Sequence, residues 1–142
     1  MKILLLGANG MLGPHVVKVL EKEHDLILSD VHTSMDSEHD YHQINISDLE
    51  SVVDISSGMD AIINLSVVRE ERRLAFDVNS QGCYNVMSAA VENGIKRVIN
   101  TGPHFTQVGP IYENFDFDIN EEVPLHSCLN LYAHSKSIGQ EI

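Results

Sequence analysis

Met1-Lys2-Ile3-Leu4-Leu5-Leu6-Gly7-Ala8-Asn9-Gly10-Met11-Leu12-Gly13 opens the chain, and its reading decides the fold. Ile3 to Leu6 is an apolar run of strand length that stops at a glycine. Gly7, Gly10 and Gly13 stand three apart, and a helical pattern begins behind them. A strand ending at Gly7 turns sharply because glycine accepts positive φ. The bare backbone of Gly10 lets a diphosphate approach the turn. Gly13 lets the next helix lie close to the strand, with its N-terminal amides facing that phosphate. GxxGxxG alone is a modest signal; placed between a strand and a helix it reads as a dinucleotide-binding turn.

Outward from that turn, Val16, Val17 and Leu20 recur at helical spacing, predicting a helix over residues 11–23 with Pro14 tolerated in its first turn. Leu26-Ile27-Leu28 reads as a buried strand ending in Ser29-Asp30. An acid at the end of a second strand hydrogen-bonds the adenosine ribose hydroxyls of NAD and repels a 2′-phosphate. No arginine follows Asp30, so NAD is expected over NADP. His39, Asp40 and His42 lie too sparsely for a metal site and are read as solvated loop residues, so no metal is expected. Tyr41–Ile44 is a short strand, and Ser47 with Glu50 predicts a capping box opening a helix that runs to about Ser57.

Asp60 to Leu65 is the next buried strand, and Ser66-Val67-Val68 leaves it toward the crevice where an open parallel sheet holds its ligand. Arg69-Glu70-Glu71-Arg72-Arg73 is a mixed charge cluster read as a solvated helix start. A long helix follows, with Cys83, Val86, Met87, Ala90 and Val91 as its core stripe and Asn93-Gly94 as its stop. Residues 96–101 form a fifth strand, and residues 102–130 show no period; a loop of that length in a compact domain is usually functional. The chain closes on Tyr132-Ala133-His134-Ser135-Lys136, where tyrosine and lysine at i and i+4 share a helical face. A lysine ammonium near a phenol favours the phenolate, which can take a proton from a substrate hydroxyl.

The composition narrows the function classes. The chain has 142 residues and a formal charge of −12, which argues against a nucleic-acid partner while leaving room for a single nucleotide. Cys83 and Cys128 are far apart, which fits a reducing compartment without a structural disulfide. Nothing in the sequence has the length of a membrane span. These features together imply a cytoplasmic protein.

Taken in order, these motifs resemble the extended branch of the short-chain dehydrogenase/reductase superfamily, the NAD-dependent epimerase/dehydratase family. The resemblance covers the whole chain. It rests on Gly7 to Gly13, Asp30, Leu65-Ser66-Val67, Asp77-Val78-Asn79-Ser80-Gln81-Gly82, and Tyr132 to Lys136 trailed by Glu141. It implies an α/β fold, a Rossmann-type doubly wound parallel sheet in three layers. The implied cofactor contacts are Gly7, Asn9, Gly10, Met11, Leu12, Gly13, Asp30, Asn45, Ile46, Leu65, Ser66, Val67, Asn79, Tyr132 and Lys136. Tyr132 is the implied general base, Lys136 its electrostatic partner and ribose ligand, and a sugar or nucleotide sugar the implied substrate.

Two departures bear on activity. Asn45 stands where the family has an adenine-contacting aspartate, and asparagine also offers an acceptor. Behind the fifth strand, Thr101-Gly102-Pro103-His104-Phe105-Thr106 replaces the family's serine pair, leaving Thr101 or Thr106 as the carbonyl-polarising hydroxyl and His104 as an implied substrate contact. Family members run on for another hundred residues or so into a substrate domain, so residues 1–142 are expected to be a C-terminally truncated NAD-binding domain. The alternative is a non-catalytic NAD-binding sensor or scaffold. A homodimer through the helix ending near Asn93 and the helix starting near Tyr132 is implied by resemblance alone.

Overall fold

The computed structural model describes residues 1–33, 38–102, 127 and 129–142. Five strands form one parallel sheet: β1 (Lys2–Leu6), β2 (Asp25–Asp30), β3 (Asp40–Gln43), β4 (Ala61–Asn64) and β5 (Val98–Asn100). Their spatial order is β3-β2-β1-β4-β5, so β1 lies in the middle. Ile3 pairs with Leu26 on one side and Ala61 on the other. Leu4, Leu5 and Leu6 are wholly buried, since a central parallel strand is covered on both faces and has no polar side to alternate with.

Helices cover the two faces. Helix α1 (Gly13–Leu20) sets Val17, with Val16 and Leu20 beside it, on the face carrying Ile3, Leu5, Leu26, Leu28 and Ile63. Helices α2 (Leu49–Ser56) and α4 (Gly82–Glu92) set Val52, Val86, Ala89 and Ala90 on the face carrying Leu4, Leu6, Ile27 and Ile62. A short α3 (Arg72–Phe76) runs into α4 through a π-helical turn, Asp77–Gln81. Helix α5 (Leu131–Gln140) packs against that turn. A Cβ on Gly139 would stand 2.4 Å from Asn79 O and 2.9 Å from Cys83 Sγ, so α5 sits as close as a backbone can. The result is the three-layered, doubly wound Rossmann-type sheet expected from the sequence.

Several details differ. The helix after Ser47 has no capping box: it begins at Leu49 behind Asp48, and the Ser47 hydroxyl donates to Asp77 O at 3.0 Å. A partner thirty residues away took the hydroxyl that a local pattern had reserved. Val91 is not core but 82% exposed. At about 100° per residue it lies across the helix from the buried arc of Gly82, Val86 and Ala89. Helix α1 and strands β4 and β5 are shorter than the apolar patterns that located them. No helix among the described residues is long and apolar enough to cross a membrane.

Candidate functional site

The glycine turn closes the C-terminal end of β1. Gly7 has φ +79°, and a Cβ there would meet Ser66 N at 2.7 Å, so the turn runs against the exit of β4. A Cβ on Gly13 would meet Ala8 O at 1.9 Å, which is why α1 can start directly behind the turn. Gly10 is exposed and would meet only Gly7 O, at 3.1 Å. In α1, His15 N–H is bonded to Leu12 O, leaving the amides of Met11, Leu12 and Gly13 without intrahelical acceptors while Pro14 has none to offer. Bare backbone, free amides and an open face are what a diphosphate needs.

Asp30 ends β2 beside this turn. One carboxylate oxygen accepts Asn9 N–H at 3.0 Å and the other accepts His32 N–H at 3.2 Å. A carboxylate has about four lone-pair sites, so each oxygen keeps capacity for a further donor such as a ribose hydroxyl.

On the other side of β1 a cleft of about 600 Å³ opens where the strand order reverses. Gly10, Met11 and Leu12 line it from the turn, Leu65, Val67 and Val68 from the exit of β4, and Thr101 with Gly102 from the exit of β5. Tyr132 and Lys136 enter from α5, and Arg69, Glu70 and Glu71 form the remaining rim. Lys136 is only 2% exposed. Its ammonium donates to Ser66 O at 2.9 Å and Thr101 O at 3.0 Å, joining the ends of β4 and β5. Burial pulls its pKa below the ordinary 10.5, with Cys83 acting weakly in the other direction. Arg69 lies over the Tyr132 ring, its Cζ 5.4 Å from the centroid. Arg69 is exposed, as expected of the charge cluster, but its packing on Tyr132 was not, since no local pattern ties it to a tyrosine 63 positions on.

The other candidates stand behind this surface. Asn79 is wholly buried, accepting Val68 N–H at 3.0 Å and donating to Val68 O at 2.6 Å and Ser135 Oγ at 2.9 Å. Ser135 in turn donates to Tyr132 O at 3.1 Å, so Asn79 links the cleft wall to the first turn of α5. Asn45 is exposed and its side chain accepts Ser47 N–H. Ile46 is core, with Cδ1 where a Cβ on Gly82 would be, and its carbonyl accepts from Asn85. The Thr101 hydroxyl donates to Asn64 O at 3.0 Å. Thr106, His104 and Cys128 lie outside the described residues. His39 meets Glu21 at 3.1 Å and His42 meets Asp40 at 3.3 Å; among the described residues no three histidine, cysteine or acidic side chains gather as a metal would require. The glycine turn, the helix amides and an acid at the end of β2 fit a dinucleotide: a Cβ at Gly10 would fill the open face of the turn, and the Asp30 carboxylate keeps acceptor capacity beyond its two backbone donors.

Known proteins share this sequence pattern and this fold. The chain is 26% identical over 148 residues to the N-acetyl-alpha-D-glucosaminyl-diphospho-ditrans,octacis-undecaprenol 4-epimerase of Escherichia coli O157:H7, covering 99% of this chain and 42% of that protein. A mutated uronate dehydrogenase superposes with a TM-score of 0.80 at 27% identity, over 99% of this chain and 51% of its own. A short-chain dehydrogenase/reductase superfamily protein from Agrobacterium tumefaciens with bound NAD shares the fold at a TM-score of 0.87 and 22% identity, over 99% of this chain and 43% of its own. The chain thus spans about half the length of the relatives it matches, or less. The family model for NAD dependent epimerases and dehydratases matches residues 3–142, and the chain belongs to the NAD dependent epimerase/dehydratase family.

Proposed function

We propose that residues 1–142 are the NAD-binding part of an enzyme that acts on a sugar or nucleotide sugar by Tyr/Lys-assisted hydride transfer. The observation that carries this reading is the meeting of Tyr132 and Lys136 with Gly10, Met11 and Leu12 in one cleft at the strand-order reversal. The free amides of the α1 N-terminus take the cofactor's diphosphate, and Asp30 takes the adenosine ribose diol while repelling a 2′-phosphate. NAD, when bound, would supply a nicotinamide that accepts a hydride from the substrate carbon.

Tyr132 removes the proton of a sugar hydroxyl as the C–H bond is broken. Lys136 holds its positive charge beside this step and, through Ser66 O and Thr101 O, keeps both walls of the cleft in place. Asn79 and Ser135 anchor the helical turn that carries Tyr132. A sugar carried on a diphosphate is supported by the 4-epimerase relative, whose name gives an N-acetylglucosaminyl group on undecaprenyl diphosphate, and the sugar class by the uronate dehydrogenase. Exposed Tyr84, Val91 and Ile138 on α4 and α5 support association of two copies through those helices.

One observation favours the alternative of a non-catalytic NAD-binding module. Thr101 gives its hydroxyl proton to Asn64 O and not to the cleft, which removes one of the two hydroxyls that the fifth strand offers a substrate carbonyl. A Tyr132→Phe variant separates the readings. An enzyme keeps NADH affinity within about threefold and loses turnover by a factor of about 10² or more. A chain in which Tyr132→Phe leaves turnover unchanged does not use this mechanism.

A further inference from the structure

Four residues at the ends of three strands form a closed ring of hydrogen bonds. Asp30 grips the backbone amides of Asn9 and His32, one with each carboxylate oxygen. Tyr41, from β3, grips the same two residues by other groups. Its hydroxyl accepts from Asn9 Nδ2 at 2.9 Å and donates to His32 O at 2.6 Å. The ring therefore runs Asp30, Asn9, Tyr41, His32 and back to Asp30. Tyr41 reaches this position because it pairs with Leu28 in the sheet and packs beside the core face of Leu28 and Val17.

Each bond of the ring has the direction its groups demand. The phenol must be protonated to donate to a carbonyl, and burial, aided by the nearby Asp30 charge, raises its pKa and keeps it so. The Asn9 amide then meets the phenol's lone pair. Asp30 alone could rotate about its side-chain torsions and meet the two amides, or a ligand, in several ways. With Asn9 and His32 joined through one rigid phenol, the two amides keep a constant separation, and the carboxylate has one position that satisfies both. A charge held in one place discriminates between ligands better than one that can swing aside.

Resting on the NAD reading above, we infer that Tyr41 is a positioning residue of the adenosine subsite: by bridging Asn9 to His32 it holds the Asp30 carboxylate where it takes a ribose diol and rejects a 2′-phosphate. Tyr41 touches neither ligand nor reacting atoms; it acts through Asp30.

The test is a Tyr41→Phe variant of the full chain, which removes one oxygen and keeps the ring in the core. Dissociation constants for NADH and NADPH are measured by nicotinamide fluorescence, beside wild type, Asn9→Ala and the double variant. Losing the bridge weakens NADH binding about five- to tenfold, as the loss of one well-made hydrogen-bond pair does. NADPH binding stays the same or tightens, so the preference for NADH shrinks by at least that factor. Asn9→Ala cuts the same ring from the other side and gives the same shift, including where Tyr41→Phe does not fold. The double variant is no weaker than the weaker single one. A merely structural role for Tyr41 would weaken both dinucleotides alike, and that outcome overturns the inference. So does an unchanged NADH constant in Tyr41→Phe, or additive losses in the double variant. Wild type that binds neither dinucleotide overturns the NAD reading itself and this inference with it.

Discussion

Two glycines of one motif are expected to fail in opposite ways. At Gly13 an added methyl lands 1.9 Å from Ala8 O and 2.5 Å from Ala8 C, both backbone atoms that cannot turn aside. Relief requires α1 to move away from the turn at Ala8 by more than about 1 Å, given ordinary carbon–oxygen contact, and α1 carries Val17 into the core. Overpacking against a side chain costs about 1–3 kcal/mol, and against backbone the upper end applies. Gly13→Ala should therefore lower stability by about 3 kcal/mol, a fall in Tm of about 9 °C for a chain of this size. At Gly10 the same methyl meets only Gly7 O at 3.1 Å, on an exposed turn whose φ is not in the left-handed region. Gly10→Ala should leave Tm within about 3 °C of wild type, because the stiffer unfolded chain offsets a mild contact. It places a methyl where a diphosphate approaches, so NADH affinity should fall about tenfold or more. The chain has no tryptophan, so unfolding is followed by far-ultraviolet circular dichroism and binding by NADH fluorescence. Gly10→Ala with wild-type NADH affinity would refute the assignment of the turn, and Gly13→Ala with a wild-type Tm would refute the packing argument.

Two further outcomes follow from buried polar groups. Asn79→Ala takes the side-chain partners from the half-buried amide and carbonyl of Val68 and one donor from the buried Ser135 hydroxyl, and should cost about 2–3 kcal/mol in urea unfolding, with Asn79→Asp no better because it loses the donor to Val68 O. Lys136 has a folded pKa below its unfolded 10.5, so between those values the unfolded chain holds more protons and stability rises with pH. Below that window its contribution is constant and unfavourable. Lys136→Met should remove that rise, and a wild-type minus variant difference that is flat from neutral pH to 10.5 would show the ammonium to be better solvated than its burial implies.

How far the fold could be read in advance depended on the range of the deciding contacts. Ile3 to Leu6 and Ala61 to Asn64 were legible because a central parallel strand is apolar on both faces, and that property is local. The glycine turn was legible because the spacing of its glycines is local, as is the contact of Gly13 with Ala8, although Gly7 is pressed by Leu65 and Ser66 from far along the chain. The π turn at 77–81 was not. An extra residue per turn leaves no mark on a stripe of apolar residues read at helical spacing. Ser47 misled because its hydroxyl had two suitors and the distant one, Asp77 O, won. Val91 misled because the stripe was centred one residue too far round the helix. At the site, Tyr132 and Lys136 were visible as a pair on one helical face. Arg69 over Tyr132 and the Tyr41 bridge from Asn9 to His32 were not, since each joins segments far apart in the chain.

The place of β1 at the centre of the sheet has a consequence for how the protein is made. Strand β1 leaves the ribosome before β2 and β4 and needs both as neighbours. It gains β2 soon afterwards, but its other edge, Ile3 to Leu6, pairs only with Ala61 to Asn64, which are made much later. Until then the apolar edge of β1 is open to any other strand in the cell. Fast synthesis through the α1–α2 region, or a holdase that shields the nascent β1–β2 pair, would raise the yield of folded protein without altering its final stability. Slowing translation between residues 30 and 60 would lower yield for the same reason.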